Sequence, residues 1–320
     1  MKILVTGGAG FIGSHLVRIL LKQEHTVIVL DNCTTGDIKH IEGLNVIFWK
    51  QDTLEQGIVQ QIIDAKPEAI VHFAAQTMVE ASIKDPVYDA SENIMGLLNV
   101  LEAARKLDIR VVFASTAAAY GNVLNEELPV VEEHSLNPQS FYGLTKVGGE
   151  KYIRLYNEIY GLDYVICRFA NVYGERQGDK GEGGVISIFT KRIAAKQDIT
   201  IYGDGTQTRD FIYAGDIARG ICNALTTDNI NNVYNLSTQT ETSLIELVHI
   251  MGEAVGRKIT LKFGQKREGD IYRSMLSNKK AKKGLNWEPK MSLNEGIKRT
   301  ITYFRNINKY KLPSNRTESC

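Results

Sequence analysis

Of the 14 tyrosines in this 320-residue chain, only Tyr142 has a lysine four positions later, Lys146. The segment from Ser140 continues into a helical pattern, and a spacing of four puts both side chains on one helix face. A phenol titrates near ~10 in water. A neighbouring ammonium stabilises its anion. Bringing that pKa to about 7 needs about 4 kcal/mol of differential stabilisation, and two cations in a partly desolvated cleft can supply it. The result is a general base for an alcohol or sugar hydroxyl. In isolation such a pair more often means a packed ring beside a solvated charge. A third element joins it here. The run Val111-Val112-Phe113 leads into Ala114-Ser115-Thr116, which sets hydroxyls at the carboxyl end of a strand. A hydroxyl there can relay a proton or hold a reacting oxygen.

The second cation is implied by the N-terminus. The apolar run Lys2-Ile3-Leu4-Val5 leads into Thr6-Gly7-Gly8-Ala9-Gly10-Phe11-Ile12-Gly13. Glycines at 7, 10 and 13 let the chain turn tightly after a strand and aim a helix N-terminus at a pyrophosphate. A Cβ at Gly7 or Gly10 is expected to block that approach, and one at Gly13 to push the helix off the sheet. Phe11, Ile12, Leu16, Ile19 and Leu20 follow at helical spacing. The next strand, Thr26-Val27-Ile28-Val29-Leu30, ends in Asp31. An acid there accepts ribose hydroxyls and repels a 2′-phosphate, which predicts NAD over NADP. An oxidised nicotinamide carries the additional positive charge.

These parts need a scaffold. Strands are predicted at Val46–Trp49, Ala69–Phe73, Arg110–Phe113 and Tyr164–Arg168, with helices between them. The clearest helix runs from about Glu92 to Leu107, with Leu97, Val100, Leu101 and Ala104 on one face. Such alternation predicts an α/β fold, a Rossmann-type doubly wound parallel sheet covered on both sides. Ligands then sit beyond the carboxyl ends of the strands. Composition shifts after about residue 175. Gly178, Gly181, Gly183 and Gly184 mark a loop, and an amphipathic helix is expected around 292–305. Residues 1–175 are read as the NAD-binding domain. Residues 176–320 are read mainly as a smaller α/β substrate lobe, with some segments returning to the first domain.

A net charge of +1, from 38 basic and 37 acidic residues, gives no nucleic-acid or membrane surface. No apolar run is long enough to span a bilayer. The N-terminus enters a strand at once, so no leader is expected. Cys33, Cys167, Cys222 and Cys320 are scattered without metal-ligand spacing. They read as reduced thiols of a cytoplasmic protein, with no metal bound.

The glycine turn, Asp31, Ser115-Thr116 and Tyr142-Lys146 together resemble the extended short-chain dehydrogenase/reductase family, over nearly the whole chain. The resemblance is greatest to its nucleotide-sugar 4-epimerases of the UDP-glucose 4-epimerase type. It implies Tyr142 as base, Lys146 as the group that tunes it, and Thr116 on the sugar 4-oxygen. The implied cofactor set is Gly7, Gly10, Phe11, Ile12, Gly13, Asp31, Asn32, Asp52, Thr53, Ala74, Ala75, Asn93, Tyr142 and Lys146. Cys167–Gly174, Ile201–Gly205, Thr208–Phe211 and Arg267–Asp270 resemble the substrate segments of the family. They imply Asn171 and Arg209 on the diphosphate, Tyr202 stacked on uracil, Arg267 on phosphate and Asp270 on the uridine ribose. The implied activity is NAD-dependent 4-epimerisation of a UDP-hexose through a 4-keto sugar, in a homodimer built on helices near 92–107 and 146–160. The 4,6-dehydratases carry an Asp-Glu pair after the threonine, whereas Thr116 is followed by Ala117-Ala118. Ser274, four after Asp270, leaves room for a 2-acetamido group where glucose/galactose-only enzymes often carry tyrosine. A UDP-glucuronate epimerase or decarboxylase stays open as an alternative. So does a non-enzymatic NAD-sensing protein, which has no need of Tyr142, Lys146 or the arginines.

Overall fold

The computed structural model describes residues 1–178, 184–265 and 272–309. The first part alternates strand and helix. It runs β1 (Lys2–Thr6), α1 (Phe11–Lys22), β2 (Thr26–Leu30), β3 (Ile47–Trp49), α2 (Ile58–Ala65), β4 (Ala69–His72), α3 (Val79–Lys84), α4 (Pro86–Ala90), α5 (Gly96–Leu107), β5 (Arg110–Thr116), α6 (Phe141–Tyr160) and β6 (Tyr164–Phe169). The second part runs β7 (Asn171–Tyr173), α7 (Val185–Ala194), β8 (Ile199–Tyr202), β9 (Thr208–Arg209), β10 (Phe211–Tyr213), α8 (Ala214–Thr226), β11 (Asn232–Leu236), β12 (Thr242–Ser243), α9 (Leu244–Val255), β13 (Leu261–Gly264), α10 (Lys279–Gly284) and α11 (Leu293–Lys309).

Seven strands form one parallel sheet in the order β11-β6-β5-β4-β1-β2-β3. Alternate residues of each strand face opposite layers. Ile3 and Val5 pack with α1 and α8 residues on one face, and Leu4 packs with α2 and α5 residues on the other. Both faces are covered, so the strands read as continuous apolar runs. The chain leaves β1 toward β2 and β3, then returns to β4 on the other side of β1. A ligand crevice opens at that reversal, beyond the carboxyl ends of the strands.

Two elements differ from expectation. β5 continues to Thr116, so Ser115 and Thr116 belong to the strand and face opposite sides. The long helix begins with a π-helical turn at Ser91–Met95 before α5 proper. The later chain also enters the main sheet, because α8 packs on α1 and β11 pairs with β6. The remaining elements make a lobe of three short strand pairs, β7 with β10, β8 with β13 and β9 with β12. Its own core includes Phe189, Ile201, Phe211, Leu247, Met251 and Ile301. Among the described residues, no helix is long and apolar enough to cross a membrane.

Candidate active site

A cleft of about 1040 Å³ opens at the reversal, at the upper end of the range for small-molecule sites and roomy enough for two ligands. Its floor is the turn after β1. Gly7 has φ +68°, and a Cβ there would lie 2.8 Å from the Ala74 nitrogen. The turn therefore rests on the chain leaving β4 with no space for a side chain. Gly10 caps α1 without a side-chain hydrogen bond, and Phe11, Ile12 and Gly13 line the cleft. Amides left uncapped at a helix N-terminus suit a phosphate.

Gly13 acts differently from expectation. Its Cβ would stand 2.2 Å from the Gly7 oxygen, so the turn itself excludes a side chain. The contact with the sheet belongs to Gly8, whose Cβ would meet Val29 Cγ1 at 2.8 Å. Gly13→Ala is expected to destabilise the fold by about 1–3 kcal/mol, the usual cost of overpacking, and to weaken NAD binding. Denaturant unfolding and cofactor titration measure the two effects.

Asp31 is buried at the end of β2. Its Oδ2 accepts the Ala9 N–H at 2.9 Å and its Oδ1 the Cys33 N–H at 2.8 Å. Burial raises its pKa, against the pull of the Cys33 and Ala9 amides. The carboxylate thus ties the glycine turn to the 32–36 loop while still lining the cleft. Asn32 Nδ2 donates to Asp52 Oδ2 at 2.6 Å, and both residues line the cleft with Thr53, Ala74 and Ala75. Asn93 does not. It stands behind the wall, 3 % exposed. Its Oδ1 accepts the Gln76 N–H at 2.8 Å, and its Nδ2 donates to Gln76 O and Thr145 Oγ1, each at 3.0 Å. With its amide filled in this way, Asn93 supports the cofactor side of the cleft in place of the direct contact expected of it.

Tyr142, Lys146 and Thr116 line the same cleft. Ser140 Oγ accepts the Gly143 N–H at 3.1 Å and starts α6, so Tyr142 sits in the first turn and Lys146 one turn further. Lys146 is 4 % exposed. Its Nζ donates to Ala114 O at 3.0 Å and lies 4.9 Å above the Phe113 ring. Burial pulls its pKa down to about 8, opposed by Asp89 and then Glu150. Thr116 Oγ1 accepts the Ala118 N–H at 3.1 Å. Ser115 donates its hydroxyl to Glu150 Oε1 at 2.6 Å. Both residues line the cleft, and of the two hydroxyls that of Ser115 is engaged by a carboxylate. His72, a strand residue, pairs its Nδ1 with Thr6 Oγ1 at 2.8 Å.

On the lobe side, Asn171, Arg209 and Ser274 line the cleft. Arg209 Nη1 donates to Thr208 O at 2.8 Å. Tyr202 is 40 % exposed at the end of β8, beside Gly264 of β13, and is not among the described residues lining the cleft. Arg267 and Asp270 lie outside the described residues. Arg176 and Gln177 line the cleft unannounced by any motif read in the sequence. Arg176 Nε donates to Ser14 Oγ at 2.8 Å, which brings a guanidinium to the first turn of α1. The Gln177 Oε1 is buried without a hydrogen-bond partner among the described residues. No cluster of potential metal ligands occurs among the described residues.

A family model described as GDP-mannose 4,6 dehydratase matches residues 4–300. A putative UDP-glucose 4-epimerase from Methanocaldococcus jannaschii is 45% identical over 309 residues, which is 96% of this chain and 99% of the relative. The crystal structure of Thermotoga maritima UDP-glucose 4-epimerase with UDP-glucose superposes with a TM-score of 0.92 at 38% identity, covering 96% of this chain and 100% of that one. The Thermus thermophilus UDP-glucose 4-epimerase in complex with NAD gives 0.89 at 38% identity, covering 95% and 99%. The cradle that excludes any Cβ, the uncapped helix and the acid at Asp31 fit NAD. The chain belongs to the family that this model describes, among the extended short-chain dehydrogenases/reductases, as a UDP-glucose 4-epimerase-like, NAD-dependent enzyme.

Proposed function

We propose that this enzyme interconverts UDP-glucose and UDP-galactose by inverting C4, and that it accepts their N-acetyl forms. The observation that carries the reading is the shared cleft. The Tyr142–Lys146 pair and Thr116 open on the same space as the glycine cradle. NAD held there supplies a reversible acceptor for the hydride of a carbinol carbon. Tyr142 removes and returns the proton of the 4-hydroxyl, with Thr116 Oγ1 holding that oxygen. Lys146 stabilises the phenolate that Tyr142 needs to act as base. Arg209 and Asn171 grip the diphosphate, with Arg267 assigned to phosphate and Asp270 to the uridine ribose. Tyr202 keeps its assigned place at the uracil end. With the charge-assisted grip placed on the nucleotide, the sugar can turn while the nucleotide stays held.

Ala117 and Ala118 line the cleft beside Thr116 and offer no acid or base for removing water. A carboxylated sugar is less well served. Arg273 lines the cleft next to Ser274, but Glu241 engages its Nε and Nη2. Exposed apolar side chains gather on α3, α4 and α6, among them Ile83, Val87, Leu144, Leu155 and Ile159. This face supports a homodimer. The buried thiols of Cys167 and Cys222 support a cytoplasmic setting, and the reaction would place the enzyme in galactose metabolism.

The purified protein is expected to convert UDP-galactose to UDP-glucose and to epimerise UDP-N-acetylglucosamine. Ser274→Tyr is expected to suppress turnover of the N-acetyl sugar and to spare UDP-galactose. Product analysis by NMR reads both. No turnover of either sugar, with change of UDP-glucuronate instead, overturns the assignment.

A further inference from the structure

A cation as buried as Lys146 needs compensation nearby. Two carboxylates, Asp89 and Glu150, favour its charged form, and they are not equivalent. Glu150, one turn along α6, is neutralised by Arg168, whose Nε and Nη2 reach it at 2.8 and 2.6 Å. Asp89, on α4, is fully buried and has no cation among its hydrogen-bond partners. Its Oδ1 accepts from Gln76 Nε2 at 2.7 Å and from Asn93 Nδ2 at 3.2 Å. Its Oδ2 accepts from Thr145 Oγ1 at 2.8 Å. Three donors converge on its two oxygens, an arrangement that suits a carboxylate. Thr145 precedes Lys146, and Gln76 follows Ala75 on the cofactor side of the cleft.

We propose that Asp89 is a positioning residue of the reaction: its charge keeps Lys146 an ammonium, and its bonds to Thr145 and Gln76 lock that lysine's helix to the cofactor side of the cleft. The inference rests on the reading of Tyr142 and Lys146 as base and tuning group. The other groups around Lys146 leave this task to Asp89. His72 of β4 is held neutral, its pKa lowered to about 3 by burial and then by Lys146 itself. Tyr142, on the same helix, is the group being tuned. Glu92 of the π turn is half-buried at the cleft, while Glu80 and Lys84 of α3 are exposed. Of the two carboxylates that hold the Lys146 pKa up, Asp89 has the larger effect.

The sign follows. With Asp89 neutralised, Lys146 gives up its proton at lower pH, Tyr142 loses its cation, and the alkaline limb of kcat moves down. The test is the kcat–pH profile of the NAD-loaded enzyme with UDP-galactose. Asp89→Asn and Asp89→Ser are both expected to shift the alkaline limb down by about one unit or more, the order of two charges interacting at an effective dielectric of ~20. KM is expected to stay near wild type. Asp89→Glu restores most of the limb, and Thr145→Val, which leaves both charges, does not move it. The serine variant gives a second neutral test should the asparagine variant not fold. A uniform loss of kcat with an unmoved limb in a folded neutral variant reduces Asp89 to scaffold and overturns the inference. Tyr142→Phe separates the two failures. An active phenylalanine variant sinks the catalytic reading, whereas an inactive one beside an unmoved limb sinks only the role of Asp89.

Discussion

Tyr142→Phe is expected to lower kcat for UDP-galactose about a thousandfold, the middle of the range for a positioned general base. The Kd values for the UDP-sugar and for NAD are expected to stay close to wild type. The substitution removes one hydroxyl from a half-buried ring at the start of α6 and leaves its volume in place. The N-cap at Ser140 and the Lys146 bond to Ala114 are both independent of that hydroxyl. What disappears is the acceptor for the substrate proton, an interaction made only as the reaction proceeds. Turnover and kcat/KM should therefore fall together. Steady-state kinetics with calorimetric binding separates this from a binding defect. Turnover within tenfold of wild type would remove Tyr142 from the chemistry.

Tyr142 and Lys146 were legible because their relation is local. Four residues on one helix fix a shared face whatever the rest of the fold does. The turn after β1 was legible for the same reason, since Gly7, Gly10 and Gly13 act within one strand–turn–helix unit. Even there the cause behind Gly13 was hidden, because the atom that excludes its Cβ is the Gly7 oxygen and not the sheet. The resemblance singled out Thr116, but the residue types alone gave no physical reason to prefer it over Ser115 until β5 was seen to run through both. Both residues line the cleft, but the Ser115 hydroxyl is engaged by Glu150.

The role of Asn93 was out of reach for a different reason. Its partners Gln76 and Thr145 lie 17 and 52 residues away. No periodicity reports such a contact, and the π turn that carries Asn93 is invisible to a helical pattern. Gly96, just after it, leaves no room for a Cβ, which would come within 2.5 Å of Thr53 Oγ1. The lobe was the least legible part. Its strands have two to four residues and pair across long loops, so pattern carries little signal there. The position of Tyr202 depends on such a pairing, with β13.

The largest effect on stability is expected from the pair that holds β5, α6 and β6 together. Glu150 and Arg168 meet at 2.6 Å with each side chain only 2% exposed. Arg168 Nη1 also donates to Tyr120 Oη at 2.8 Å and to Glu132 O at 3.0 Å, and Tyr120 Oη donates to Asn235 Oδ1 at 2.8 Å. Glu150→Leu strands the guanidinium in that interior. Removing one partner of a buried pair costs about 3–5 kcal/mol. At about 2–4 °C per kcal/mol for proteins somewhat smaller than this, Tm should drop by roughly 10 °C. The exposed Lys262–Asp198 pair is the contrast, since breaking it should cost at most about 1 kcal/mol. Combining Glu150→Leu with Arg168→Met is expected to recover part of the loss, because no buried charge is then left uncompensated. Recovery stays incomplete, since Glu132 O and Tyr120 Oη lose their guanidinium donor and Ser115 its acceptor. Thermal unfolding of the four proteins without added ligand measures the cycle. If Glu150→Leu melts with wild type, the pair contributes nothing to stability, and the anchoring of α6 against the sheet must come from apolar packing around Val147 and Ile153.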